Sequence, residues 1–158
     1  MPVIELTEVI RAPVEICFDL SRSIDLHLIS TEHTNEKAIA GVTSGLIGLD
    51  ESVTWQARHF GITQRLTTRI TAFEPPHFFA DEMQRGIFKR FRHEHFFEEF
   101  NIGTRMRDVF DYDSPFGPLG KLVDFIILKK YMTRLLVLRN EVIRNFAESD
   151  KWKDLLNG

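Results

Sequence analysis

Two spacings of hydrophobic and polar positions run along this chain, one of two residues through most of its length and one of 3.6 residues near its end. From Val3 to Arg11, Ile4, Leu6 and Glu8 point one way and Val3, Glu5, Thr7 and Val9 the other, which predicts a strand. Ala12-Pro13 ends it, and Pro13 suits the first turn of a short helix that carries Val14, Cys17 and Phe18 to about Leu20. Ser21 and Ser23 offer caps for a second short helix through Leu28, stopped at Ser30-Thr31. A short strand over Glu36–Ala40 precedes a loop punctuated by Gly41, Gly45 and Gly48, whose apolar Leu46, Ile47 and Leu49 read either as a gate or as packing under a neighbouring loop. Ser52–Phe60 and Ile62–Phe73 form a hairpin about Gly61. After Pro75-Pro76 come strands at His77–Met83, Phe88–Phe100 and Thr104–Asp113.

The 3.6-residue pattern begins beyond the rigid loop Ser114–Gly120 and predicts one long helix over Leu119–Ala147. Phe125, Leu128, Met132, Leu135, Leu136, Val142, Ile143 and Phe146 share one face, and Arg139 falls in the middle of that stripe. Near its start the helix is apolar nearly all round, with Val123, Ile127 and Tyr131 off the stripe. The gate loop, a second copy of the chain in a homodimer, or a membrane surface can cover them, and the sparse Lys121, Lys129 and Lys130 favour the first two.

The element order predicts an α+β domain: a seven-stranded curved antiparallel sheet wrapped around a long C-terminal helix, with two short helices after the first strand. Residues 1–148 make one domain and 149–158 a charged tail expected to fray. A single helix crossing a wide curved sheet does not fill it at both ends, so a hollow is expected between them.

Composition narrows this little. The 158 residues are 43% hydrophobic and 27% charged, the balance of a soluble globular protein. A net charge of -3 argues against nucleic acid. Cys17 is alone and reads as a small core residue. With no signal peptide and no apolar run of spanning length, the chain is expected to be cytoplasmic, without stable membrane insertion. Fourteen Phe against two Tyr and two Trp give aromatic surface without polar handles, suited to a dense core or an apolar cavity.

The strand at Phe88–Phe100 is the most informative. Phe91, His93, His95 and Phe97 share one face, and the opposite set, Arg90, Arg92 and Glu94, is fully charged, which turns the histidines inward. On the following strand Met106, Asp108, Phe110 and Tyr112 form the matching face, and the hairpin can set Asp108 or Phe110 opposite His95. Three readings fit a His-Asp pair inside the sheet: a satisfied buried pair that fixes register, a contact to the polar head of an apolar ligand, or a general base (His93 or His95) oriented by Asp108. His-x-His also meets part of a metal site, but the sequence offers no convincing third ligand, with His59 only a distant candidate, so no metal and no cofactor are expected. Arg139 either snorkels to water or sits in the hollow with an anionic partner, namely Asp108, Asp81 or a ligand carboxylate. Trp55, His59, Tyr112, Met132 and Leu136 complete the predicted wall. The cluster Arg85, Lys89, Arg90, Arg92, Arg105 and Arg107 lies on the outer face, interleaved with Glu94, Glu98 and Asp111 as ordinary cross-strand pairing.

The opening Val9-Ile-Arg-Ala-Pro-Val-Glu15, the strand Val53-Thr-Trp-Gln-Ala-Arg-His-Phe-Gly61, the strand Phe91-Arg-His-Glu-His-Phe-Phe97, and the Gly103-Thr strand followed by Ser114-Pro-Phe-Gly-Pro-Leu-Gly120 resemble the START-like or SRPBCC superfamily. The similarity runs from about Val3 to Phe146 and looks like its bacterial polyketide cyclase/dehydrase-like or cell-division-inhibitor-like branch. The resemblance implies the helix-grip fold and a superfamily of lipid and hydrophobic-ligand carriers, quinone-binding proteins and some cyclases. The expectation is a non-catalytic binder of a small hydrophobic or amphipathic molecule. Its alternatives are a cyclase- or dehydratase-type enzyme using the His-Asp pair, and an interaction module with a vestigial pocket.

Overall fold

The computed structural model describes residues 2–114 and 124–157. Strand β1 (Val3–Ile10) leads into helices α1 (Val14–Ser21) and α2 (Ile24–Ser30), a 3-10 turn (Glu32–Thr34), and strands β2 (Lys37–Gly41), β3 (Ser52–His59), β4 (Ile62–Glu74), β5 (Phe78–Arg85), β6 (Arg90–Phe100) and β7 (Gly103–Asp113). One π-helical turn (Asp124–Leu128) runs into helix α3 (Lys129–Ala147), and α4 (Lys151–Asn157) ends the chain. The seven strands form one antiparallel sheet in the order β1-β7-β6-β5-β4-β3-β2. The register shifts twice between β4 and β5, with Gln84 extra on β5 and Thr71 extra on β4, and once between β2 and β3, with Ile39 extra on β2; such extra residues bend a sheet. The α+β helix-grip architecture expected from the sequence is present.

Local chemistry accounts for the elements. Pro13 precedes α1, and the Ser23 hydroxyl accepts the Leu26 N–H to cap α2. Phe60 and Gly61 both take positive φ in the two-residue turn between β3 and β4, the geometry that matches strand twist. Buried and partly exposed residues alternate along β6 from Arg90 to Phe97 and along all of β7. On the outer face Arg90 pairs with Asp111 and Asp113, Arg92 with Glu82 and Glu94, and Arg105 with Glu98.

Two apolar clusters fill the concave side. The larger joins α1, α2, the C-terminal half of α3 and the middle strands. Phe18 meets Phe73, Phe79 and Phe97 at 5.4–5.5 Å between ring centroids, and Cys17 and Ile143 are fully buried. Burial pushes the Cys17 thiol up to about 11, the behaviour of an inert core residue. The smaller cluster gathers Ile4, Phe88, Phe91, Phe110 and Tyr112 beneath Leu128, Met132 and Leu136 of the helix.

Two expectations are refined and one pair of readings is separated. Among the described residues the long helix starts at Asp124 with a π-helical turn; Leu119 to Val123, and the side chain of Phe125, lie outside them. The C-terminal tail is helical: α4 packs Trp152, Leu155 and Leu156 against the larger cluster, using an i, i+3, i+4 apolar stripe. The glycine-rich loop takes the packed reading rather than the gate. The Ile24 N–H bonds the Gly45 carbonyl, the Ile47 N–H bonds the Arg22 carbonyl, and Asp25 accepts the Gly45 N–H, which staples the loop to the α1–α2 junction with Ile47 buried.

Candidate functional site

Between the sheet and α3 lies a cavity of about 240 Å³. Of the predicted wall residues, β3 contributes Trp55 and His59, β6 contributes Phe91, His93 and His95, and β7 contributes Phe110. Met132, Leu136 and Arg139 close it from the helix. Sequence reasoning missed Ile24 from the α1–α2 end, Val53, Ile70 and Phe79 from the sheet, and Tyr131 from α3, and named Ile47 only as a loop residue. Ile70 and Phe79 follow strand alternation, whereas the burial of Ile47 depends on the stapled loop.

Four predicted wall residues do not line the cavity. Phe97 and Met106 lie where α1 covers the sheet: Phe97 packs on Phe18, and Met106 Sδ sits 3.6 Å from Ser21 Oγ. Tyr112 is packed against Phe88 and Phe110. Asp108 lies behind the wall, 1% exposed.

Asp108 is nevertheless the hub of the site. Of the two partners the sequence allowed His95, Asp108 and Phe110, the β6–β7 register selects Asp108. Its Oδ1 stands 3.0 Å from His93 Nε2, 3.1 Å from His95 Nδ1 and 3.4 Å from Arg139 Nη1, and its Oδ2 accepts the Asn140 side-chain N–H at 3.0 Å. Arg139 is 7% exposed and does not snorkel; it donates further to Asn140 Oδ1 at 3.0 Å and to the Ser21 carbonyl at 3.2 Å. Asn140 was not singled out, although it lies four residues after Leu136 and three before Ile143, on the same buried stripe. Asp81 of β5, directly opposite His93 in the sheet, places Oδ1 2.8 Å from His95 Nε2.

Both ring nitrogens of His95 face carboxylate oxygens, which only accept. Arg139 Nη2 also approaches His95 Nδ1, at 3.4 Å. Burial alone would raise the Asp108 carboxyl, but hydrogen bonds from His93 and His95 and the charge of Arg139 hold it well below the usual carboxylate range. Asp81 is lowered in the same way, burial being outweighed by His95, His93 and Arg139. Burial, then the neighbouring His95, depresses His93 to about 4 despite Asp108, so its ring is neutral at pH 7. The His93 and His95 rings lie 3.8 Å apart between centroids, tilted by 36°, and Phe79 stacks on His95 at 4.1 Å.

Asp81, His93 and His95 also form the three-ligand set that the sequence did not supply, one ligand atom of each lying within 4.8 Å of the others. His59, the distant candidate, is elsewhere: its Nδ1 is 2.6 Å from the Tyr131 hydroxyl. On the same flank of the cavity His27 bonds Glu36 at 2.8 Å and stacks on Trp55.

No family model matches the chain, and no curated protein matches it in sequence. Solved structures do match in shape. Protein TTHA0849 from Thermus thermophilus superposes with a TM-score of 0.73 at 17% identity, over 91% of this chain and 95% of that one. Protein CV1439 from Chromobacterium violaceum gives 0.69 at 13% identity, over 94% and 98%. Major latex-like protein 151 from Panax ginseng gives 0.62 at 12% identity, also over 94% and 98%. At such identities the likeness is one of fold, and the chain has the helix-grip fold of these proteins along nearly its whole length.

Proposed function

We propose that the protein binds, without catalysis, a small and mainly apolar molecule in the cavity between sheet and helix α3. The observation that carries this is an apolar-walled hollow of about 240 Å³ beside a polar network that satisfies itself. Because Arg139 is paired with Asp108, and both ring nitrogens of His95 are engaged by Asp81 and Asp108, the site does not call for an anionic ligand; a neutral one, with a hydroxyl or carbonyl turned toward the histidines, matches it better. Size sharpens the class. Drug-sized ligands occupy roughly 300–1,000 Å³, and a dry cavity of roughly 150 Å³ takes benzene. The hollow therefore suits one or two rings, or a short acyl chain, rather than a full-length lipid.

The cyclase or dehydratase reading keeps one observation in its favour, a neutral His93 on the cavity wall oriented by a buried carboxylate. It asks more of the site, since His93 Nε2 is already engaged by Asp108 and leaves only Nδ1 to move a proton.

Titration of the purified chain with naphthalene, indole and dodecanol, followed through Trp55 fluorescence and calorimetry, tests the proposal. Saturable binding of the ring compounds is expected, reduced at least ten-fold in Leu136→Trp, which fills the hollow, and in Val53→Phe as an independent filling variant checked by circular dichroism. Absence of saturable binding to wild type, or binding indifferent to both filled variants, overturns it. Native mass spectrometry of freshly purified protein addresses the natural ligand.

A further inference from the structure

We infer that Asp81, His93 and His95 form a binding site for one first-row divalent metal ion, of the zinc, ferrous or cobaltous class, at the polar end of the cavity. The inference rests on side-chain geometry and is independent of the organic ligand proposed above. Two imidazoles and one carboxylate are the donor set these ions take, at about 2.0–2.2 Å each. His93 and His95 stand two residues apart on the concave face of β6, and Asp81 is opposite His93 on β5. With one donor atom of each within 4.8 Å of the others, modest side-chain rotations gather them around a single ion.

The arrangement behind the three ligands argues for more than an ion pair. Asp108 Oδ1 faces His93 Nε2 at 3.0 Å and His95 Nδ1 at 3.1 Å, so one buried carboxylate orients both rings through their remote nitrogens. Metal-ligating histidines are held in this way, each donating its far N–H to a carboxylate or carbonyl. That use of the remote nitrogens leaves His93 Nδ1 and His95 Nε2 as the ligating pair. His95 Nε2 already lies 2.8 Å from Asp81 Oδ1, so two of the three ligands stand together. Asp108 is itself held by Arg139 and Asn140 from α3, so the supporting shell is buried and hydrogen-bonded. Three protein ligands leave a coordination position open toward the cavity, which a hydroxide or carboxylate can fill.

The experiment is a titration of chelator-stripped full-length protein with Zn²⁺ and Co²⁺ alone, with no organic ligand present. One equivalent is expected to bind saturably, with visible d–d absorption for Co²⁺ that Zn²⁺ abolishes. Asp81→Asn and His93→Gln should each weaken binding by about ten-fold or more. Imidazole ¹⁵N spectra of the wild type need no variant to fold: Zn²⁺ should shift the His93 and His95 rings, with His93 ligating through Nδ1. No saturable binding to wild type, affinity unchanged in both variants, or shifts confined to His27, His33, His59 and His77 overturns the site. Such a failure leaves the cavity proposal standing, and failure of the ring compounds to bind leaves the metal site standing.

Discussion

The two halves of helix α3 lie against the same sheet and meet opposite packing. Its C-terminal half, with Ile143 and Ala147 buried, presses onto α1, α2 and α4. Glu148 accepts the Arg11 N–H and Arg144 pairs with Glu8, tying that end to β1. The N-terminal half, with Leu128, Met132 and Leu136, spans the hollow, and Ile126 and Ile127 before it are 57% and 51% exposed. Between the halves stands the layer of Arg139, Asn140, Asp108 and the two histidines. The lesson is architectural: the short helices inserted after β1 plug one end of the sheet, and the other end is left with one helix to cover a width it cannot fill.

That contrast can be broken most forcefully at the solid end. Phe18→Ala removes a ring in contact with three others and should cost about 3–5 kcal/mol in urea unfolding. Asp108→Asn strikes the layer between the halves and should cost about 3 kcal/mol, because Arg139 loses its buried counter-charge. A change too small to measure would mean that the layer is solvated and the two halves are continuous. At the hollow end Met132→Ala should cost only about 1 kcal/mol, since its side chain already borders empty space; a loss equal to that of Phe18→Ala would erase the distinction. The smallest effect is that of acid on His59. Burial holds its ring below the ordinary range, against the pull of Glu36. The unfolded ring takes a proton near pH 6.5 and the folded ring at lower pH, so its contribution is complete above about pH 6.5 and drains as the pH falls through the folded value. His59→Phe should flatten the fall in unfolding midpoint below pH 6.5, and identical slopes would place that fall elsewhere.

How much of this was legible follows the range of each interaction. The inner face of the β6–β7 hairpin was, because a charged outer set decides it; the register was narrowed to Asp108 or Phe110 opposite His95, and the structure selects Asp108. Arg139 was legible as an oddity on a buried stripe, but its direction was not, since its acceptors include the Ser21 carbonyl 118 residues away. Asp81 alternates with Phe79 and so belongs inside, yet its meeting with His95 depends on the β5–β6 register, which the connection at residues 86–89 leaves open. The staple of the glycine-rich loop is made largely of backbone groups, which every residue carries alike. The stripe of α4 was present in Trp152, Leu155 and Leu156, hidden by the charged residues around it.

The position of β1 in the sheet has a consequence for the order of assembly. The first strand made pairs only with the last, Val3 opposite Asp111, while β2 ends at the far edge. A chain emerging from its amino terminus can zip β2 through β6 by local hairpins, but β1 must wait for residue 113 before it has a neighbour. Until then α1 and α2, which follow β1 directly, have no complete sheet to close against. The elements that plug the solid end are thus synthesised among the first and seated among the last.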